Sequence, residues 1–103
     1  MHLTIRKYRK VLGDKKQLVD LVNRELAPML STIDGFIDYY ALFADDGTIT
    51  SVTVFRDAQG AEESVRTAAR WVSETLADLL PEAPEVISGE VFAHRPLAKQ
   101  KAA

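Results

Sequence analysis

Five side chains in this 103-residue sequence have types and positions that could do chemistry: Arg6, Tyr39, Tyr40, Trp71 and His94. His94 has an imidazole whose ordinary pKa lies near neutrality, so with Glu90 or Asp38 in reach it could act as a general base on an acidic phenol or carbon acid. Arg6 offers a planar fork of donors suited to anchoring a carboxylate or phenolate. Tyr39 and Tyr40 are adjacent, so on a strand they face opposite ways; only one can line a given pocket, where its hydroxyl would orient a polar ligand. Trp71 lies on the flank of a helical apolar stripe and could edge the same pocket. Each residue also has a plainer reading. His94 could be a solvent-exposed or interface residue, Arg6 an ion-pair partner of Asp38 or Glu90, the tyrosines packing groups, and Trp71 the seal of a core or interface rim.

Other chemistries have little to stand on. With no cysteine and two histidines, His2 and His94, the chain has no disulfide, thiolate nucleophile or cysteine zinc site, and no metal is expected. The glycines at 13, 35, 47, 60 and 89 are too scattered for a phosphate loop. Asp45-Asp46-Gly47 lacks the later oxygen ligands of a calcium loop, and the serines have no paired histidine and aspartate spacing of a hydrolase. Residues 48–56 also lack the basic-glycine-aromatic run of an RNA-recognition module.

Charge is distributed unevenly along the chain. Residues 1–16 carry a local charge of +5 and residues 17–94 carry −10, within a net charge of −2. A basic cluster opposed by so large an acidic field is a poor phosphate-binding surface, so no nucleic-acid partner is expected. No apolar stretch approaches the roughly 20 residues of a membrane span, and none follows the early cations as in a secretion signal. The expectation is a cytoplasmic protein with no membrane partner.

The elements that must position these residues follow from periodicity. Residues 2–8 alternate, with Leu3 and Ile5 on one parity, which predicts a strand. Asp14 can cap a helix over about 15–32 whose apolar positions are Leu18, Val22, Leu26, Met29 and Ile33; Pro28 should kink or break it and begin a second short piece. Residues 36–44 and 48–56 read as strands around an Asp45-Asp46-Gly47 turn. A second helix follows over about 59–80, with Ala61, Val65, Ala68, Ala69, Val72, Leu76 and Leu80 inward. After Pro81 and Pro84, residues 86–95 read as a fourth strand. A single domain over 1–95 and a polar tail over 96–103 result.

The order βαββαβ predicts an α+β, ferredoxin-like fold: a four-stranded antiparallel sheet with two helices on one face. Strand parity assigns to the other face Thr4, Arg6 and Tyr8; Phe36, Asp38, Tyr40 and Leu42; Ser51, Thr53 and Phe55; and Ser88, Glu90, Phe92 and His94. A monomer would leave those aromatics as a large apolar patch. The economical cover is a second copy, so a homodimer through the sheet face is expected.

At Gly35-Phe36, Tyr39-Tyr40, Ser51-Val52-Thr53-Val54-Phe55, Ala61-Glu62-Glu63-Ser64 and Gly89-Glu90-Val91 the chain resembles the dimeric α+β barrel superfamily, and within it the antibiotic biosynthesis monooxygenase-like domains. The resemblance spans about residues 2–95. It implies two ferredoxin-like protomers whose sheets pack into a barrel, with pockets for small molecules between sheet and helices. Haem-degrading members have an asparagine on strand one and an iron-ligating histidine on helix two. Here strand one has Thr4 and Arg6, and the region of Ser64 and Val65 has no histidine, so no haem and no other cofactor is expected. Two functions follow. The first is a small-molecule-binding or interaction dimer, with an aromatic ligand as its partner. The alternative is a cofactor-independent monooxygenase acting on an aromatic or phenolic substrate near Tyr39 or Tyr40 and Trp71, with His94 or Arg6 assisting proton removal. A cavity of at least roughly 300 Å³ that gathers two of the five residues would mark a ligand site.

Overall fold

A computed structural model describes residues 1–98. Strand β1 (His2–Tyr8) is followed by a helical run of three parts: α1 (Lys15–Leu21), a π turn (Val22–Leu26) and α2 (Ala27–Ser31). Then come β2 (Phe36–Phe43), β3 (Ile49–Phe55), α3 (Ala58–Thr75) and β4 (Glu85–Glu90). The strands form one antiparallel sheet in the order β2-β3-β1-β4. This is the expected ferredoxin-like arrangement.

Local chemistry explains the element boundaries. Asp14 caps α1 by accepting from the Lys16 amide at 2.9 Å, and Asp57 caps α3 by accepting from that of Gly60 at 3.1 Å. Gly47 takes a φ of +86° in the hairpin, and Asp46 Oδ1 accepts from both the amide and the hydroxyl of Thr48. The break expected near Pro28 takes the form of the π turn just before it, where the Ala27 amide reaches back to the Val22 carbonyl. Pro28 itself sits in the first turn of α2, where its missing N–H is not needed. The wider π turn advances the helical phase, so Leu30 is buried in place of the expected Met29, which is exposed.

The second helix differs in a similar way. It ends at Thr75, and Leu76, Leu79 and Leu80 are buried from the tight turns that follow. Its inward stripe is Ala61, Ser64, Ala68, Trp71 and Val72, so Trp71 lies within the buried stripe while Ala69 is exposed. Strand β4 stops at Glu90, short of the expected 95. It is an edge strand whose one partner, β1, runs out at His2, opposite Glu90. Phe92 and His94 therefore lie beyond the sheet, exposed.

The largest correction concerns the two faces. Thr4, Arg6, Tyr8, Ser51, Thr53 and Phe55 were expected on the open face and instead are buried beneath the helices. Phe36 joins them, its ring edge-on to Phe55 with centroids 5.7 Å apart. Only Asp38, Tyr40 and Leu42 keep the face assigned to them, because a bulge between Phe36 and Asp38 reverses the parity within β2. Hydrogen bonds satisfy part of this inward polar set: Thr4 shares a 2.9 Å hydrogen bond with Ser88 and Arg6 donates to Ser51, while Thr53 Oγ1 has no partner among the described residues. The apolar parity of β1, Leu3 and Ile5, is thereby turned outward beside Val52 and Ile87.

Candidate functional site

The buried polar band on the sheet meets a cavity of about 180 Å³ between β1, β2, β3 and the helices. Arg6, Tyr8, Tyr39 and Ser51 form its sheet side, and Leu18, Val22 and Leu26 close it from the helical run. Trp71 comes in from α3. The π turn has a direct part here, since Val22 and Leu26 both line the cavity and Asn23 ties back to the Val19 carbonyl at 3.0 Å.

Three of the five sequence-predicted residues, Arg6, Tyr39 and Trp71, meet in this cavity. Tyr40 does not: it stands on the open sheet face, 57% exposed, as its opposition to Tyr39 requires. His94 does not line the cavity either, because it belongs to the extended segment after β4. The volume falls below the roughly 300 Å³ expected for a ligand site, yet it exceeds the roughly 150 Å³ at which an engineered apolar cavity admits benzene. Single-ring ligands match that space.

Arg6 is the unusual member. It is 2% exposed, with Nε donating to Ser51 Oγ at 3.2 Å and Nη1 to the Ser64 carbonyl at 3.4 Å. Neither expected ion-pair partner serves it. Asp38 lies on the opposite face, and no carboxylate among the described residues is within salt-bridge distance of the guanidinium. Trp71 is fixed differently, its indole N–H donating to Glu25 Oε1 at 3.1 Å, which leaves its ring rather than its N–H for a ligand.

The two phenols of the cavity share one electrostatic environment. Burial pushes the pKa of Tyr8 above the ordinary value, and the charge of Arg6 partly opposes that rise. Tyr39 is raised chiefly by burial as well, with Arg6 lowering it and Tyr8 adding to the rise. Both are therefore protonated donors at neutral pH. Tyr8 and Ser51 were missed as site residues, although each lies two residues along its strand from a residue already singled out or facing one across the sheet. A strand alternation read with Arg6 on the inner face would have found both.

A shallower hollow lined by Lys15, Lys16 and Asp20 adjoins the cavity and shares Val19, Asn23 and Phe43 with it. Lys15 Nζ stands 5.3 Å from the centroid of the Phe43 ring. Asp20 is engaged by Arg24 at 3.3 Å, so the two lysines give this approach a positive bias.

A scan against protein-family models gives no match to this chain, and neither does a search of curated proteins. Solved structures do share its fold. A Nitrosomonas europaea protein of unknown function, NE2512, superposes with a TM-score of 0.76 at 19% identity, over 94% of each chain. A candidate antibiotic biosynthesis monooxygenase from the same organism gives 0.69 at 18% identity, over 90% of this chain and all of that one. A monooxygenase from the gene ActVA-Orf6 of Streptomyces coelicolor, in complex with Nanaomycin D, gives 0.68 at 17% identity, over 93% of this chain and 92% of that one. The fold expected from the sequence resemblance is thus the fold these proteins have.

Proposed function

We propose that this chain is a small-molecule-binding protein that works as a twofold dimer and holds an aromatic ligand between its sheet and helices. The observation that carries this reading is the meeting of Trp71, Tyr39, Tyr8 and Arg6 around one ring-sized cavity. Aromatic walls supply contact area at low conformational cost, and a few polar groups fix orientation. Trp71 is the chain's single tryptophan, so its emission reports on the cavity alone. A panel of one-ring aromatics, neutral and anionic, should quench or shift that emission saturably. At one hundred times its dissociation constant a bound ligand should add about 2.7 kcal/mol to stability, seen as a raised melting temperature. If no member of the panel moves either signal, the reading fails.

The second reading, cofactor-independent oxygenation of a phenol, draws on the same cavity and on the fold shared with the Streptomyces coelicolor monooxygenase. Arg6 would stabilise the phenolate there. The base assigned to His94 is not at hand within the protomer, because His94 lies outside the cavity. Oxygen uptake with a panel of quinols, lost on Arg6→Gln, is the result that would favour this reading over binding alone.

A further inference from the structure

We infer that the cavity selects an aromatic carboxylate, with the ring against Trp71 and the carboxylate on Arg6; this deepens the binding function proposed above and rests on it. The first support is the state of Arg6. A guanidinium has five N–H donors and keeps its charge throughout the physiological range. Here one donor is spent on Ser51 and one on the Ser64 carbonyl. The single polar side-chain atom sealed from solvent without a partner among the described residues is Thr53 Oγ1. Arg6 Nη2 donates to no described residue and is not among the sealed atoms, and Arg6 lines the cavity.

A charge in that position has no counter-ion within salt-bridge distance among the described residues. Burying an ion without one is strongly unfavourable, and an anion on the fork would relieve the cost. The geometry of the fork suits a carboxylate, which accepts two parallel N–H bonds. The neighbouring phenols agree with this. Tyr8 and Tyr39 remain protonated and can donate, so the polar end of the cavity offers donors to an anion. A simple phenol is neutral at pH 7 and would have to lose a proton to use that end fully; a carboxylate arrives ionised. Lys15 and Lys16 at the adjoining hollow provide an approach of the same sign. Arg6 is the one charged residue among those that line the cavity, and the rest of its wall, Leu18, Val22 and Leu26 included, is mostly apolar.

The test compares benzoate with benzamide, which has nearly the same shape and no charge, by calorimetry and Trp71 emission on the full chain at pH 7. Benzoate should bind about tenfold or more tightly, the difference that one charged hydrogen-bond set makes. Arg6→Gln should abolish the preference, and Arg6→Lys should restore part of it, since a point charge replaces the fork. Equal affinities for the two ligands on the unaltered protein overturn the inference even if neither variant folds. So does a preference for benzoate that survives Arg6→Gln. Binding of neutral aromatics without a charge preference leaves the broader binding function standing, whereas silence from every aromatic removes both.

Discussion

Arg6 offsets part of what burial does to the two inner tyrosines, and that gives a residue-scale prediction separate from any ligand. Burial raises the pKa of Tyr8 and of Tyr39, and in both cases the nearby guanidinium holds the rise back. Tyr40 is raised too, chiefly by the charge of Asp38, but on the far side of the sheet. Removing the charge with Arg6→Gln should push Tyr8 and Tyr39 further up and leave Tyr40 where it was. Ultraviolet titration of tyrosinate, with Tyr40→Phe to isolate the cavity pair, checks this. The sign for stability follows from linkage. Folded-state values above 10 mean that the unfolded chain loses these protons first, so stability is intact below pH 10 and is lost as pH climbs through the folded values. Urea midpoints measured across that range should fall for the parent protein. A midpoint that stays level there would mean the two phenols are not buried as described.

At the scale of elements, the fold was legible in the sequence because several boundaries have a local cause. Asp14, Asp57 and the Asp45-Asp46-Gly47 turn act through their own hydrogen bonds and conformations. The sheet faces were not legible. Assigning Leu3 and Ile5 to the core assumes that the apolar parity goes inward, and that assumption fails where the interior holds a polar site and the outside is itself apolar. The bulge at Phe36 and Asp38 and the π turn each add a residue to a regular period; Pro28 marks that the helix is interrupted but not the phase shift, and the bulge leaves no local mark. Two of the three cavity residues named from sequence, Tyr39 and Trp71, were found by residue type; Arg6 was named for its chemistry and placed on the wrong face. The close packing of α3 on the sheet is a separate element-scale feature, which depends on Gly60. A Cβ there would stand 2.6 Å from a Phe55 ring carbon and 2.8 Å from the Asp34 carbonyl. Gly60→Ala should therefore destabilise the protein by about 1–3 kcal/mol despite the better helix propensity of alanine, the cost usual for overpacking. Denaturant unfolding of that variant beside the exposed Ala69→Ser as a control measures it. A neutral or stabilising effect would show that α3 does not sit this close to Phe55.

The whole molecule has more surface than its mass warrants. A chain of 11.4 kDa folded as a monomer should expose roughly 5,800 Å², whereas this one exposes 7069 Å². Its radius of gyration of 14.6 Å likewise exceeds the about 13 Å of a compact domain of this length. Both excesses fit a two-layer shape with one sheet face uncovered and an extended segment after β4. That face carries Ile87, 69% exposed, together with Tyr40, Leu42 and the outward Leu3 and Ile5. An interface of standard size removes about 800 Å² from each partner. The proposed dimer would cover the apolar parity of β1, so the residues that mislead a core assignment are the ones a second copy buries. Sedimentation equilibrium at micromolar concentration should give twice the 11.4 kDa chain mass. Charges placed in the centre of the patch, Ile5→Lys with Ile87→Lys, should shift the mass to that of one chain, because four like charges would then be buried in the twofold interface. The cavity lies on the other side of the sheet, so the separated protomer should keep its Trp71 emission if it stays folded. A stable single-chain mass for the unaltered protein would exclude the dimer and leave the outward face of β1 without a cover.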